Sequence, residues 1–140
     1  MAYNILIVDD STSMRQVVKK IINMSGFPVA EFYEAGNGLE GLEECKDKSI
    51  DVILTDLNMP EMDGFTFIDK LQENEKFHDI PVVVVSTEGR STVIEQVTNM
   101  GVVKYIKKPF HPELIAETLK NLLGMDNGEQ ESRDTQELDF

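Results

Sequence analysis

Asp51-Val52-Ile53-Leu54-Thr55-Asp56-Leu57-Asn58-Met59-Pro60 carries an aliphatic run, Val52 to Leu54, up to a single carboxylate, Asp56. Short runs of β-branched and aliphatic residues bounded by turn formers predict a strand buried on both faces, as in a parallel sheet flanked by helices. Pro60 cannot continue a central strand. Ligands of open α/β sheets bind outside the carboxyl ends of the strands, which is where this reading puts Asp56. Taken alone, Asp56 fits a polar strand cap equally well, and the rest of the chain decides between the two.

Working outward, residues 4–8 (Asn-Ile-Leu-Ile-Val) predict another buried strand, and it ends on the acid pair Asp9-Asp10. Ser11, Thr12 and Ser13 offer N-caps to a helix whose apolar face is Met14, Val17, Val18, Ile21 and Ile22, with Gly26 as its stop. A strand over 29–33, a turn over 35–38 and a helix over 39–46 follow, before the strand that leads to Asp56. Beyond Pro60, Asp63 caps a helix reaching Leu71, and residues 81–85 form a fourth strand ending on Ser86-Thr87. Residues 91–100 read as a helix closed by Gly101, and 102–106 as a fifth strand carrying Tyr105 and ending on Lys107-Lys108-Pro109. The last helix starts near His111, where Pro112 costs little, and Gly124 closes it. Five strands alternating with five helices through short connections predict one doubly wound, flavodoxin-like (βα)5 domain with a central five-stranded parallel sheet.

The 140-residue length suits one domain, and an apolar share of 41% with 28% charged residues is that of a globular protein. The longest clean apolar run, 80–85, contains Pro81 and is too short to span a bilayer, and the first residues lack the pattern of a signal peptide, so a cytoplasmic location is expected. A net charge of -13 argues against nucleic acid and anionic membranes as partners and for proteins or cations. Residues 1–124 are the expected domain. Residues 125–140 hold six acids and one base, net -5, and form a separate acidic tail whose composition predicts disorder, with Leu138 and Phe140 as possible anchors. Cys45, among Leu42, Glu43 and Glu44 on a helix, reads as a packed thiol.

The strand ends thus deliver Asp9 and Asp10, Asp56, Ser86 and Lys108 to one edge. Crowded carboxylates raise one another's pKa unless a cation holds them ionised. Oxygen donors of this kind suit Mg2+, whereas His78 and His111 have poor spacing for zinc. Phosphoryl transfer rests mostly on positioning and charge neutralisation, and a carboxylate can accept the group as an acyl phosphate. In that chemistry Asp56 attacks, Asp10 with Asp9 holds the metal, and Lys108 and the Ser86 hydroxyl contact phosphoryl oxygens. Each signal alone also fits a bland role, Lys108 a surface lysine and Ser86 an ordinary strand-end hydroxyl. Their joint placement carries the reading.

At this point residues 3–124 resemble the receiver domain of bacterial two-component response regulators, and within it the stand-alone, CheY-like chemotaxis members. The motifs are Ile7-Val8-Asp9-Asp10-Ser11, Thr55 to Gly64, Val85-Ser86-Thr87 and Lys107-Lys108-Pro109-Phe110. The resemblance implies phosphorylation of Asp56 by a CheA-like histidine kinase. It also implies Mg2+ on Asp10, Asp56, Asp9 and the Asn58 carbonyl, and a cis Lys108-Pro109 peptide that aims the lysine inward. Ser86 and Tyr105 would form the switch, with the fourth helix, fifth strand and fifth helix as readout face. Asn58 and Glu88 match residues that set the lifetime of the phosphoryl group, while Thr87 replaces the small residue usual after the switch hydroxyl. A protein target such as a flagellar motor switch component, or a phosphatase, follows, with the chain a monomer that acts by binding. Within the same fold, a phosphorelay intermediate serving a histidine phosphotransfer domain is the alternative. A Mg2+-dependent phosphohydrolase is disfavoured because Asn58 stands where a general acid would be wanted.

Overall fold

The structure, a computed structural model, describes residues 1–124. Five strands, β1 (Tyr3–Val8), β2 (Val29–Ala35), β3 (Val52–Thr55), β4 (Val82–Ser86) and β5 (Lys104–Lys107), alternate with five helices. These are α1 (Thr12–Met24), α2 (Gly38–Asp47), α3 (Gly64–Glu73), α4 (Ser91–Asn99) and α5 (Pro112–Leu122). The sheet runs β2-β1-β3-β4-β5 with every pair parallel. The expected doubly wound five-stranded architecture is therefore present. Among the described residues no helix is long and apolar enough to cross a membrane.

Because side chains alternate across a strand, the apolar runs feed two cores. Ile5 and Ile7 of β1 pack with Val18 and Ile22 of α1 and Ile115 and Leu119 of α5. Leu6 and Val8 face the opposite side, with Cys45 of α2, Phe67, Ile68 and Leu71 of α3, and Val93 and Val97 of α4. Three helices start on side-chain caps: Ser11, Asn37 and Asp63 accept from the amides of Met14, Glu40 and Thr66. Cys45 is buried in the second core; burial, helped by the charge of Glu44, pushes its thiol up to about 11. That bears out the packed reading of this residue.

Three local expectations are corrected. The strand expected over 29–33 continues to Ala35, because β1 pairs with it as far as Val8↔Ala35, and the helix then begins at Gly38 directly after its cap. The fifth strand forms over Lys104–Lys107 rather than 102–106. Val102 instead donates its amide to the Val97 carbonyl and finishes the turn that Gly101, at positive φ, allows after α4. Val17, assigned above to the apolar face of α1, is 46% exposed, since Val18 and Ile22 take the side that meets the sheet. The acidic-tail expectation concerns residues 125–140, outside the described residues.

The two sides of α1 are separable by mutation. Val17→Lys should change stability by no more than about 0.5 kcal/mol. Ile22→Ala should cost about 2–5 kcal/mol. Urea unfolding of both variants checks the assignment, and a large loss from Val17→Lys would reverse it.

Candidate functional site

Backbone pairing, continued one residue past the strands, fixes the site. The Asp9 amide donates to Ala35 O of β2 at 3.0 Å, the Asp56 amide to Val8 O of β1 at 2.9 Å, and the Lys108 amide to Ser86 O of β4 at 2.8 Å. Each site residue is thus held by the end of a neighbouring strand, so the three side chains share one edge of the sheet.

There the Lys108 ammonium lies 3.0 Å from Asp9 Oδ2 and 3.1 Å from Asp56 Oδ2. The side chains are 11%, 7% and 13% exposed for Lys108, Asp9 and Asp56, so solvent screens these pairs less than it does surface pairs. The other oxygen of each acid takes a backbone donor: Asp9 Oδ1 accepts from Ser11 N at 2.9 Å, and Asp56 Oδ1 from Leu57 N at 2.6 Å. Burial works to lower the Lys108 pKa, but its hydrogen bond to Asp9 and the charges of Asp56 and Asp9 outweigh that and leave it raised. The Lys108-Pro109 peptide is cis, as the resemblance implied.

Asp10 stands exposed at the rim, and its side chain takes no ion-pair partner among the described residues. Among those residues no three acids close into a ready metal cage. Mg2+ does not need one: it takes one or two carboxylates and keeps several waters. The donor set, all hard oxygen with more negative than positive charge, fits Mg2+ on those terms.

The remaining predicted residues do not all meet at Asp56. Ser86 is fully buried, and its hydroxyl accepts from the Glu88 amide at 3.2 Å, so it serves its own loop. Tyr105 is half-buried and donates its hydroxyl to the Glu88 carbonyl; burial pushes its phenol above the ordinary value, with the Ser86 hydroxyl acting the other way. The Glu88 carboxylate is occupied by Arg90, whose Nε and Nη2 lie 2.9 and 2.8 Å from it. Those hydrogen bonds hold the carboxyl down at about 2. Asn58 and Thr87 are exposed in the loops that follow β3 and β4.

Sequence reasoning missed two positioning residues. Arg15 of α1 donates to the Asp9 carbonyl while paired at 2.9 Å with Glu34, which Lys19 also contacts at 2.9 Å. Burial pushes the Glu34 carboxyl up, yet Lys19 and Arg15 hold it below the usual range. No local sequence signal joins residues so far apart. Gly64 is the other. A Cβ there would stand 2.3 Å from the Asp56 carbonyl oxygen and 2.7 Å from Leu57 Cα, and the Gly64 amide bonds Leu57 O at 2.8 Å. Only glycine lets the start of α3 press against the Asp56 backbone, and the clue was a glycine directly after a cap residue.

Residues 5–120 match the response regulator receiver domain family. The chain is 36% identical over 126 residues to a chemotaxis protein CheY homolog of Campylobacter jejuni, covering 89% of this chain and 95% of that relative. Among solved structures, chemotaxis protein CheY4 of Vibrio cholerae superposes with a TM-score of 0.76 at 31% identity, over 85% of this chain and 97% of the other. The CheX-CheY-BeF3-Mg2+ complex of Borrelia burgdorferi gives 0.77 at 26% identity, over 87% and 90%.

Gly64→Ala should lower stability by about 1–3 kcal/mol in urea unfolding, and an unchanged midpoint would mean the contact relaxes freely. For Arg90→Ala, the Glu88 carboxyl followed by NMR should titrate above about 2 but still below the ordinary 4.5, because the backbone amides of residues 89 and 90 continue to lower it. A folded value below the ordinary one gives stability that is whole above pH 4.5 and lost as pH falls through about 2, so the two proteins should converge at the acid end of that window.

Proposed function

The chain belongs to the response regulator receiver family and is a CheY-like chemotaxis member, a phosphoacceptor switch rather than a turnover enzyme, and from that premise we propose that Asp56 is the phosphoacceptor. The observation that supports this most is the Lys108 ammonium set between Asp9 and Asp56 at the carboxyl edge of the sheet. A histidine kinase supplies the group from a phosphohistidine. An Asp56 carboxylate oxygen attacks phosphorus, the P–N bond breaks, and the imidazole leaves with the electron pair. Lys108, already against Asp56, pairs with a phosphoryl oxygen as charge develops there. Asp9, Asp10, Asp56 and the Asn58 carbonyl would hold Mg2+. The ion, when bound, neutralises charge on the phosphoryl oxygens.

The readout follows from the same edge. Tyr105 lies in β5 and Lys108 directly follows it, and the Tyr105 hydroxyl and the Ser86 side chain both bond the Glu88 backbone. If the Ser86 hydroxyl turns to a phosphoryl oxygen, the Glu88 amide loses its acceptor and the loop repacks with Tyr105, a local charge event that biases a two-state surface. The α4–β5–α5 face is then where a downstream protein binds, a flagellar motor switch component or a phosphatase. Thr87 and Asn58, exposed in the loops after β4 and β3, set how readily water reaches the acceptor. Residues 1–124 constitute the receiver unit.

The test is intact-protein mass after treatment with acetyl phosphate and Mg2+. The native chain should gain one labile phosphoryl group, Asp56→Asn none, and chelation of Mg2+ should abolish the gain. An adduct that survives Asp56→Asn would overturn the assignment.

A further inference from the structure

The chain is strongly acidic, yet its edge strand is not. β5 pairs only with β4, leaving its outer side open. Val103, just before it, is 49% exposed, and Lys104 and Lys107 within it are exposed. Neither lysine has an ion-pair partner among the described residues, a trait shared with Lys20, Lys70, Lys76 and Lys120; what sets them apart is their place on the open edge strand. Lys107 is also held in place, since its stem lies across Gly89, where a Cβ would come within 2.6 Å of Cε and 2.7 Å of Nζ.

The chain carries a segment of matching chemistry. Residues 125–140 hold six acids against Arg133 and end in Glu137-Leu138-Asp139-Phe140, charged and apolar by turns. Such alternation suits an extended segment with one acidic and one apolar side, and open sheet edges accept added strands. The segment begins just past α5, which packs on β5. Its sixteen residues, at roughly 3.3–3.6 Å each when extended, reach well beyond the 11 residues of α5 at about 1.5 Å each. A short tether supplies an effective concentration on the order of millimolar, so a contact too weak to see between separate molecules is populated within one.

We propose that the end of this acidic tail docks on the open edge of β5, with Glu137 and Asp139, which share one side of an extended segment, toward Lys107 on one face of the strand, and acids further back in the tail toward Lys104 on the other. The competing apolar surface, a cleft between α1 and α5 at Ile21, Met24 and Ala116, is lined by Glu113 and Glu117 against the single Lys120, and repels the same segment. The tail then covers the strand that carries Tyr105. That consequence for signalling rests on the receiver reading above, while the docking itself does not.

Amide NMR spectra of the full unphosphorylated chain test it, whatever the Asp56 experiment gives. Substituting Glu137→Lys with Asp139→Lys changes only the tail and should move the amides of residues 103–107. Raising the salt should move the native spectrum the same way. Lys104→Glu with Lys107→Glu should release the tail, and combining both pairs of reversals should restore the tail's own native shifts. Unchanged amides at 103–107 overturn the proposal. So do changes confined to the α1–α5 cleft, which would seat the tail there, and changes that depend on protein concentration, which would assign the contact to a second copy.

Discussion

Two carboxylates cannot sit at neighbouring strand ends, largely out of water, without something to hold their charge. Lys108 does this for Asp9 and Asp56 at 3.0 and 3.1 Å. The geometry of the edge follows from that need. The lysine arrives on a backbone bonded to Ser86 O, the two acids on backbones bonded to Ala35 O and Val8 O, and each acid spends its second oxygen on an amide. The cluster nonetheless keeps a surplus of negative charge, with Asp10 at the rim, and so remains receptive to a hard cation.

The same lysine ties the edge to a surface. From Lys108 the hydrogen bonds run through Ser86 to the loop after β4, where the Glu88 amide meets the Ser86 hydroxyl and the Glu88 carbonyl meets Tyr105. Tyr105 returns the path to β5, the strand that Lys108 directly follows. A closed circuit of this kind makes the loop and the strand move as one packed unit, and packed units change between discrete arrangements rather than deforming smoothly.

Much of this was legible in the sequence because parallel sheets write themselves plainly. Strands buried on both faces must be uninterrupted aliphatic runs, and their ends must collect the polar groups, so residues 52–56 and 4–10 announce both fold and edge. Boundaries were less legible. Ala35 belongs to β2 because β1 reaches that far, and Val102 belongs to the turn after α4 because of a backbone bond, neither of which a local pattern contains. Val17 and Val18 are the same residue type one position apart, and only the direction of α1 against the sheet distinguishes them. At the site, the acids and the lysine could be placed by strand-end logic. The Arg15 contact to Asp9 and the pressure of Gly64 on Asp56 could not, since each depends on three-dimensional approach.

The burial of Cys45 also determines how this molecule can be labelled. With its thiol pushed up to about 11, roughly one molecule in ten thousand carries the thiolate at neutral pH, and maleimides or iodoacetamides react with the thiolate. The chain has no second cysteine and no tryptophan. A cysteine engineered on an exposed position can therefore take a fluorophore or spin label selectively on the native background, and a single tryptophan introduced elsewhere would emit without interference.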